Sequence, residues 1–281
     1  MIKKILFLFI LPFNIIGQNY DTLKVIADLP SDLNEVSGIE LVEKSKYYWM
    51  INDGGNKSKL FGLSEKGKIK KEIDLDAKNH DWEDLTSDSE GNIYIGDFGN
   101  NKSSRQNLQI LKVERKYLSK KKARVSKIKF SYEDQKLFPP KKGHLFYDAE
   151  AFFYFKNNLY VFTKSRVKGS PGITSVYKIP AIQGTYIAKK IGEYENCSQI
   201  DCWITSADIT NDGKKVVLLS QKNILVFSDF TKDNFFGGTI KKIPFKYYSQ
   251  KESIAFKDLN TVLICDEKSH GKEGFLYEHK I

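Results

Sequence analysis

Sustained helical periodicity is what this 281-residue sequence lacks most. No stretch of ten or more residues keeps a 3.6-residue apolar period, which argues against an all-α or α/β fold. Beyond residue 16 no apolar run approaches the ~20 residues that a membrane-spanning helix needs. Metal-binding side chains of the soft kind are scarce too, with 4 His and 3 Cys. His80, His144, His270 and His279 show no ligand spacing. Cys197 and Cys202 have no second Cys/His pair beside them, so zinc is not expected. No G-x-S-x-G, Walker or dinucleotide fingerprint occurs. Gly96-Asp97-Phe98-Gly99 resembles a kinase D-F-G without any of its companion motifs.

The sequence opens Met1-Ile2-Lys3-Lys4 and continues as an apolar run, Ile5 to Ile16, interrupted by Pro12 and Asn14 and followed by Gly17. Charged, apolar and small residues in that order read as a secretory signal peptide over 1–17. The alternative is an anchor that stays attached. No Cys follows the run, so a lipoprotein is not expected. Residues 18–281 then form a single domain, exported to the periplasm, the cell surface or the medium. In an oxidising compartment Cys197 and Cys202 could close a small loop, while Cys265 reads as a buried small hydrophobe.

The formal charge of +10 includes Lys3 and Lys4, leaving +8 for residues 18–281. The lysines are dispersed, as in Lys127-Ile128-Lys129 and Lys241-Lys242-Ile243, a placement that suits solvated edge strands. Nucleic acid is therefore not an expected partner, and a monomer is.

One pattern recurs five times: a polar residue enters a short apolar strand, a turn follows, and a strongly apolar strand ends on a polar residue before a loop. The segments begin Val36-Ser37-Gly38-Ile39, Trp82-Glu83-Asp84-Leu85, Ala149-Glu150-Ala151-Phe152, Thr205-Ser206-Ala207-Asp208 and Lys251-Glu252-Ser253-Ile254. Hairpin signals such as Ser89-Glu90-Gly91-Asn92 and Asn211-Asp212-Gly213 join the two strands. A third strand follows in each segment and a fourth in all but the last, where the given sequence ends. The unpaired β run Thr22–Leu29 could supply that missing strand. The fold class expected is all-β, a β-propeller of five blades closed by an N-terminal strand, with six blades (a degenerate one within 108–145) as the alternative.

The entry residues Ser37, Glu83, Glu150, Ser206 and Glu252 are expected to ring one mouth of a central tunnel. Carboxylates facing one another at low dielectric call for protons or a cation. Oxygen donors without His or Cys suit a hard, flexible site, hence Ca2+. Glu35, Asp81 and Asp148 stand two residues earlier, on the same side. Asp53, Asp97, Lys164, Gln221 and Asp266 end the second strands at the same face. Lys102, Arg105, Arg166, Lys168 and Lys222 add a cationic rim, which would suit an anionic, phosphate-containing ligand bound through the metal. The competing reading is a water-filled polar tunnel with ordinary solvated loops.

The order Ser, Glu, Glu, Ser, Glu at Ser37, Glu83, Glu150, Ser206 and Glu252 resembles the central ring of the five-bladed calcium-activated nucleotidases, or apyrases. That resemblance implies Ca2+-dependent hydrolysis of phosphate anhydrides. Asp81, Asp97 or Asp148 would then handle the attacking water, and Asp53, Lys164 and Arg166 would bind substrate. Asp97 departs from the family, which tends to have Gly there. Trp82-Glu83-Asp84-Leu85 and Asp97-Phe98-Gly99-Asn100-Asn101 are also similar to exported bacterial propellers grouped loosely with phytase-like esterases. The function expected is a Ca2+-holding module that binds a ligand or another exported protein. The alternative is a metal-dependent hydrolase of phosphate anhydrides or esters.

Overall fold

The structure, a computed structural model, describes residues 23–268 and 274–281. The signal-peptide segment 1–17 and His270 lie outside the described residues. In chain order the strands are β1 (Lys24–Asp28), β2 (Val36–Glu40), β3 (Tyr48–Asn52), β4 (Lys59–Leu63), β5 (Ile69–Leu75), β6 (Trp82–Ser87) and β7 (Ile93–Asp97). Then come β8 (Gln109–Val113), β9 (Lys122–Ala123), β10 (Val125–Tyr132), β11 (Asp148–Phe155), β12 (Asn158–Lys164), β13 (Ile173–Pro180) and β14 (Gly184–Glu195). The last are β15 (Ile204–Ile209), β16 (Lys215–Ser220), β17 (Asn223–Ser228), β18 (Thr239–Pro244), β19 (Lys251–Asp258), β20 (Thr261–Asp266) and β21 (Phe275–Lys280). Among the described residues there is no α-helix, only short 3-10 turns.

Strand character changes with depth, as the sequence pattern dictates. Outer strands alternate: in β10, Ile128, Phe130 and Tyr132 are buried while Lys127, Lys129 and Ser131 are exposed. Inner strands such as β7 are buried on both faces, because a neighbouring sheet lies against each side. Tight turns connect them. Lys156 and Asn157 both take positive φ (47° and 62°), the conformation a two-residue hairpin with right-handed strand twist needs.

Antiparallel hairpins build each unit, running β2-β3-β4-β5, β6-β7-β8-β10, β11-β12-β13-β14 and β15-β16-β17-β18. The final unit, β19-β20-β21, is completed by β1, with Lys24 opposite Glu278 and Asp28 opposite Phe275, as the unpaired N-terminal run suggested. Residues 108–145 supply β8 and β10 to one unit and β9 to the edge of another, where β9 runs parallel to β5. β10 also pairs in parallel with β14, joining two units into one eight-stranded sheet.

The first strands close on themselves, β2 lying beside β6, β6 beside β11, β11 beside β15, β15 beside β19, and β19 beside β2. Each of these junctions has its own apolar core. Trp49, Ile73, Trp82 and Leu111 fill the first, Phe98, Phe130, Phe152 and Tyr177 the second, and Phe153, Phe162, Leu218 and Phe235 the third. Leu219, Ile224, Ile254 and Val262 fill the fourth; Leu33, Met50, Leu263 and Leu276 fill the last. Every first strand also carries a bulge near its start. The unpaired residue is Ser37, Glu150, Thr205 or Glu252, and in β6 the bulge falls at Glu83-Asp84, opposite Gly96. A bulge re-aims its side chain and increases local twist.

Candidate metal centre at the acidic mouth

Counting from the bulges sorts the side chains into layers. The bulged positions Ser37, Glu83, Glu150, Thr205 and Glu252 share one layer. The expected ring thus forms at four positions, while the fourth unit is shifted by one residue. Thr205 donates its hydroxyl to Lys251 O at 2.7 Å, just as Ser37 donates to Trp82 O at 3.3 Å. Ser206 lies one layer deeper. Its Oγ donates to Asp84 Oδ2 at 3.0 Å and accepts from Ile254 N at 3.1 Å. Asp84 also accepts from Phe152 N and Ala207 N, both at 3.3 Å. This deeper layer satisfies backbone N–H groups that the bulged first strands turn toward the axis, which is why buried Asp and Ser stand there.

A similar one-residue correction applies to the ends of the second strands. The residues opposite the pre-bulge positions are Asn52, Asp97, Thr163, Ser220 and Asp266. Asp53, Phe98, Lys164, Gln221 and Glu267 come next, so Asp97 and Asp266 sit one step back from Asp53 and Lys164. Glu267, the residue after β20, also stands at the mouth. Its carboxyl is pushed up to about 9 by burial and by the charges of Glu252, Asp53 and Glu35.

Two opposite electrostatic halves result. In one, Lys164 donates to Glu150 Oε2, and Arg166 reaches Glu150 Oε1 at 3.0 Å and Asp148 Oδ2 at 2.6 Å. The Trp203 ring lies 4.6 Å from the Arg166 guanidinium and 5.1 Å from Lys164 Nζ. Trp203 directly follows the Cys197–Cys202 disulfide, which anchors its loop. Lys164 and Arg166, expected to hold an anionic ligand, are thus spent on internal carboxylates. Asp97 and Asp148, expected to handle a water, are fully buried. Asp97 takes Arg105 at 2.9 Å, Gln109 at 2.7 Å and His80 at 2.9 Å, and Asp148 takes Asn100 N at 2.7 Å besides Arg166. They position cations and loops.

The other half forms no ion pair among the described residues, and the charges of Arg105 and Arg166 reach Asp81 only from farther off. Oxygens of Asp53, Asp81 and Glu83 all lie within 4.8 Å of one another, and none of these residues makes an ion pair among the described residues. Glycine makes the cluster possible. A Cβ on Gly99 would lie 1.9 Å from Glu83 Oε1 and 2.5 Å from Asp81 Oδ2, and one on Gly54 would lie 2.3 Å from Asp81 Oδ1. Burial, then the charges of Glu150, Asp53 and Asp148, raise Glu83 well above the usual carboxylate range. Burial lifts Asp53 to about 7 against the opposing Gly54 N–H, and Asp81 is raised as well. Glu252, which accepts from Gln221 at 3.2 Å, is lifted by burial to about 7 despite Lys164. Crowded, desolvated carboxylates of this kind accept a divalent cation or protons.

Two outcomes follow from this geometry. Gly99→Ala should abolish cation binding at the cluster while the rest of the fold persists; calorimetric titration with Ca2+ against circular dichroism checks it. Stability should also depend on pH with a definite sign. Asp53, Glu252 and Asp208 titrate near 7 when folded and near 4 when unfolded. Between those limits the folded state keeps protons that the unfolded state has released, so stability falls as pH rises. In EDTA the melting temperature should be several degrees lower at pH 7.5 than at pH 5.5. A higher value at pH 7.5 would sink this account.

No protein-family model matches the sequence, and no curated protein matches it. Solved structures do. A gluconolactonase from Xanthomonas campestris superposes with a TM-score of 0.51 at 11% identity, covering 92% of this chain and 89% of that one. The PQQ-bound aldose sugar dehydrogenase of Streptomyces coelicolor gives 0.50 at 7% identity, covering 92% and 98%. At such identities likeness extends to the fold alone, and with the sheet order it makes this chain a β-propeller.

Proposed function

We propose that the protein is an exported five-bladed propeller that holds a divalent cation, Ca2+ by preference, at its acidic mouth and serves there as a binding module. The observation that carries the reading is the Asp53–Asp81–Glu83 cluster, three carboxylates with oxygens within 4.8 Å of one another that make no ion pair among the described residues. Carboxylates from two loop positions, Asp53 and Asp81, and one strand position, Glu83, suit the flexible shell of Ca2+ better than the strict octahedron of Mg2+. Five first strands in a closed circuit support the blade count, and the Cys197–Cys202 disulfide supports export to an oxidising compartment.

The apyrase-like and phytase-like alternatives need a free base and a free anion-binding cation. Asp97, Asp148, Lys164 and Arg166 are all committed to one another, to Glu150 or to neighbouring loops, leaving Asp81 as the one carboxylate of Asp81, Asp97 and Asp148 without an ion pair. That favours binding over turnover. Calorimetry should show one Ca2+ per chain, with Mg2+ at least tenfold weaker. Incubation with UDP, GDP, ATP or phytate in Ca2+ should release no phosphate above a Glu83→Gln control. Calcium-dependent phosphate release would replace the binding module by the hydrolase; absence of Ca2+ binding would remove the metal from both.

A further inference from the structure

The far end of the channel is a second basin, sealed from the first. Asp84 and Ser206 are 0% exposed and bonded to each other across the axis, so they close the passage between the two mouths. Beyond them opens a cavity of about 990 Å³. Its floor holds Glu40 from β2 and Asp208 from β15, each three residues past the bulged position of its strand. Glu40 is 8% exposed and accepts from Ser87 Oγ at 3.0 Å. Asp208 accepts from Phe256 N at 2.6 Å and Ile209 N at 2.7 Å. Neither makes an ion pair among the described residues. Burial and the charge of Asp208 both push the Glu40 carboxyl up, as expected of acids that share a dry site without a cation.

Charge is segregated here against the trend of the chain. The cavity is lined by seven Asp/Glu and three Lys, a balance of −4 on a protein of +10. Pairing removes charge on both sides: Lys257 pairs with Glu278, and Lys156 Nζ lies 4.8 Å over the Phe155 ring, while Glu43, Asp88 and Asp212 pair with Lys44, Lys112 and Lys214 outside the lining. The Lys156 contact shows that a wall ring offers its face to an ammonium. Tyr154 and Phe256 extend the apolar wall.

Size and donor count choose between kinds of cation. Calcium takes about 6–8 oxygens at about 2.3–2.6 Å. The floor supplies two carboxylates, and both oxygens of Asp208 are already bonded to backbone N–H groups. The volume lies in the range of about 300–1,000 Å³ usual for small organic ligands. We propose that this cavity binds a small organic cation, its ammonium group on Glu40 and Asp208 and its carbon body against Tyr154 and Phe256.

Benzylamine and putrescine, with benzyl alcohol and 1,4-butanediol as uncharged counterparts, provide the test by calorimetry at low salt. At least one amine should bind, its alcohol should not, and Glu40→Gln should weaken the amine at least tenfold. Should Glu40→Gln fail to fold, Tyr154→Ala removes the wall and should weaken binding alike; its main-chain bond to Thr86 stays, while the hydroxyl bond to Asn157 and the stack on Tyr94 are lost. Glu252→Gln and EDTA act at the opposite mouth and should leave amine binding unchanged, so failure here is separable from failure of the calcium reading. The proposal is overturned if neither amine binds, if alcohol matches amine, if neither cavity variant changes the affinity, or if Ca2+ displaces the amine.

Discussion

Glu83→Gln should abolish the rise in melting temperature that calcium confers, and in EDTA the same variant should melt higher than the wild type. A ligand at about a hundred times its Kd adds about 2.7 kcal/mol to stability. For a domain of this size about 1 kcal/mol moves Tm by about 2–4 °C, so the calcium effect amounts to about 5–10 °C. Glu83 supplies one of three clustered carboxylates, and its loss leaves Asp53 and Asp81 with too few oxygens to strip the ion of water. Without metal, burial and the charges of Glu150, Asp53 and Asp148 make that carboxylate costly to keep ionised at neutral pH, so an isosteric amide removes the cost. The pair of opposite signs distinguishes a metal ligand from a merely structural residue. A variant that calcium still stabilises by the wild-type amount removes Glu83 from the site.

Lys164→Met carries the second large effect. The Lys164 ammonium is 7% exposed and bonded to Glu150, and its charge also steadies Glu252. Breaking a buried pair by removing one partner costs about 3–5 kcal/mol, and the lower end applies here because Glu150 keeps Arg166 at 3.0 Å. The variant in EDTA at neutral pH should therefore melt at least about 6 °C lower. Calcium should recover part of that loss, since the vacated centre exposes Glu150 and Glu252 to a cation. Glu150→Gln/Lys164→Met should return close to wild-type stability, the non-additivity expected of groups in contact. If the single and double variants melt together, Lys164 is not the internal counter-ion described here.

The repeat was legible because it rests on local chemistry: apolar alternation, hairpin turns and an unpaired N-terminal run all point to one architecture. The four Ser/Glu ring members Ser37, Glu83, Glu150 and Glu252 were legible for the same reason. Register was not. A bulge at Thr205 rather than Ser206 leaves no mark in a row of small polar residues, yet it moves the hydroxyl of Ser206 a full layer down the channel. The roles of Lys164, Arg166, Asp97 and Asp148 were also hidden, since pairing across strands depends on which side chains meet at the axis. Trp203 and Glu267 could have been found only by counting from the bulges. Signal for Glu40 and Asp208 was present as acids in apolar strands, but nothing local places them on a common floor.

The parallel pairing of β10 with β14 makes the propeller mechanically unequal around its circumference. The first and second units share only a two-residue parallel pairing, β5 with β9. Between the units of β10 and β14 the row is five residues long, and separation breaks all of its main-chain hydrogen bonds. Asp81 and Glu83 ride on one member of that welded pair, and Glu150, Lys164 and Arg166 on the other, so their mutual spacing behaves as a rigid gauge. Asp53 belongs to the neighbouring unit, tied to the pair only through the two-residue β5–β9 contact, so its distance from Asp81 and Glu83 is held by fewer main-chain bonds than theirs from Glu150.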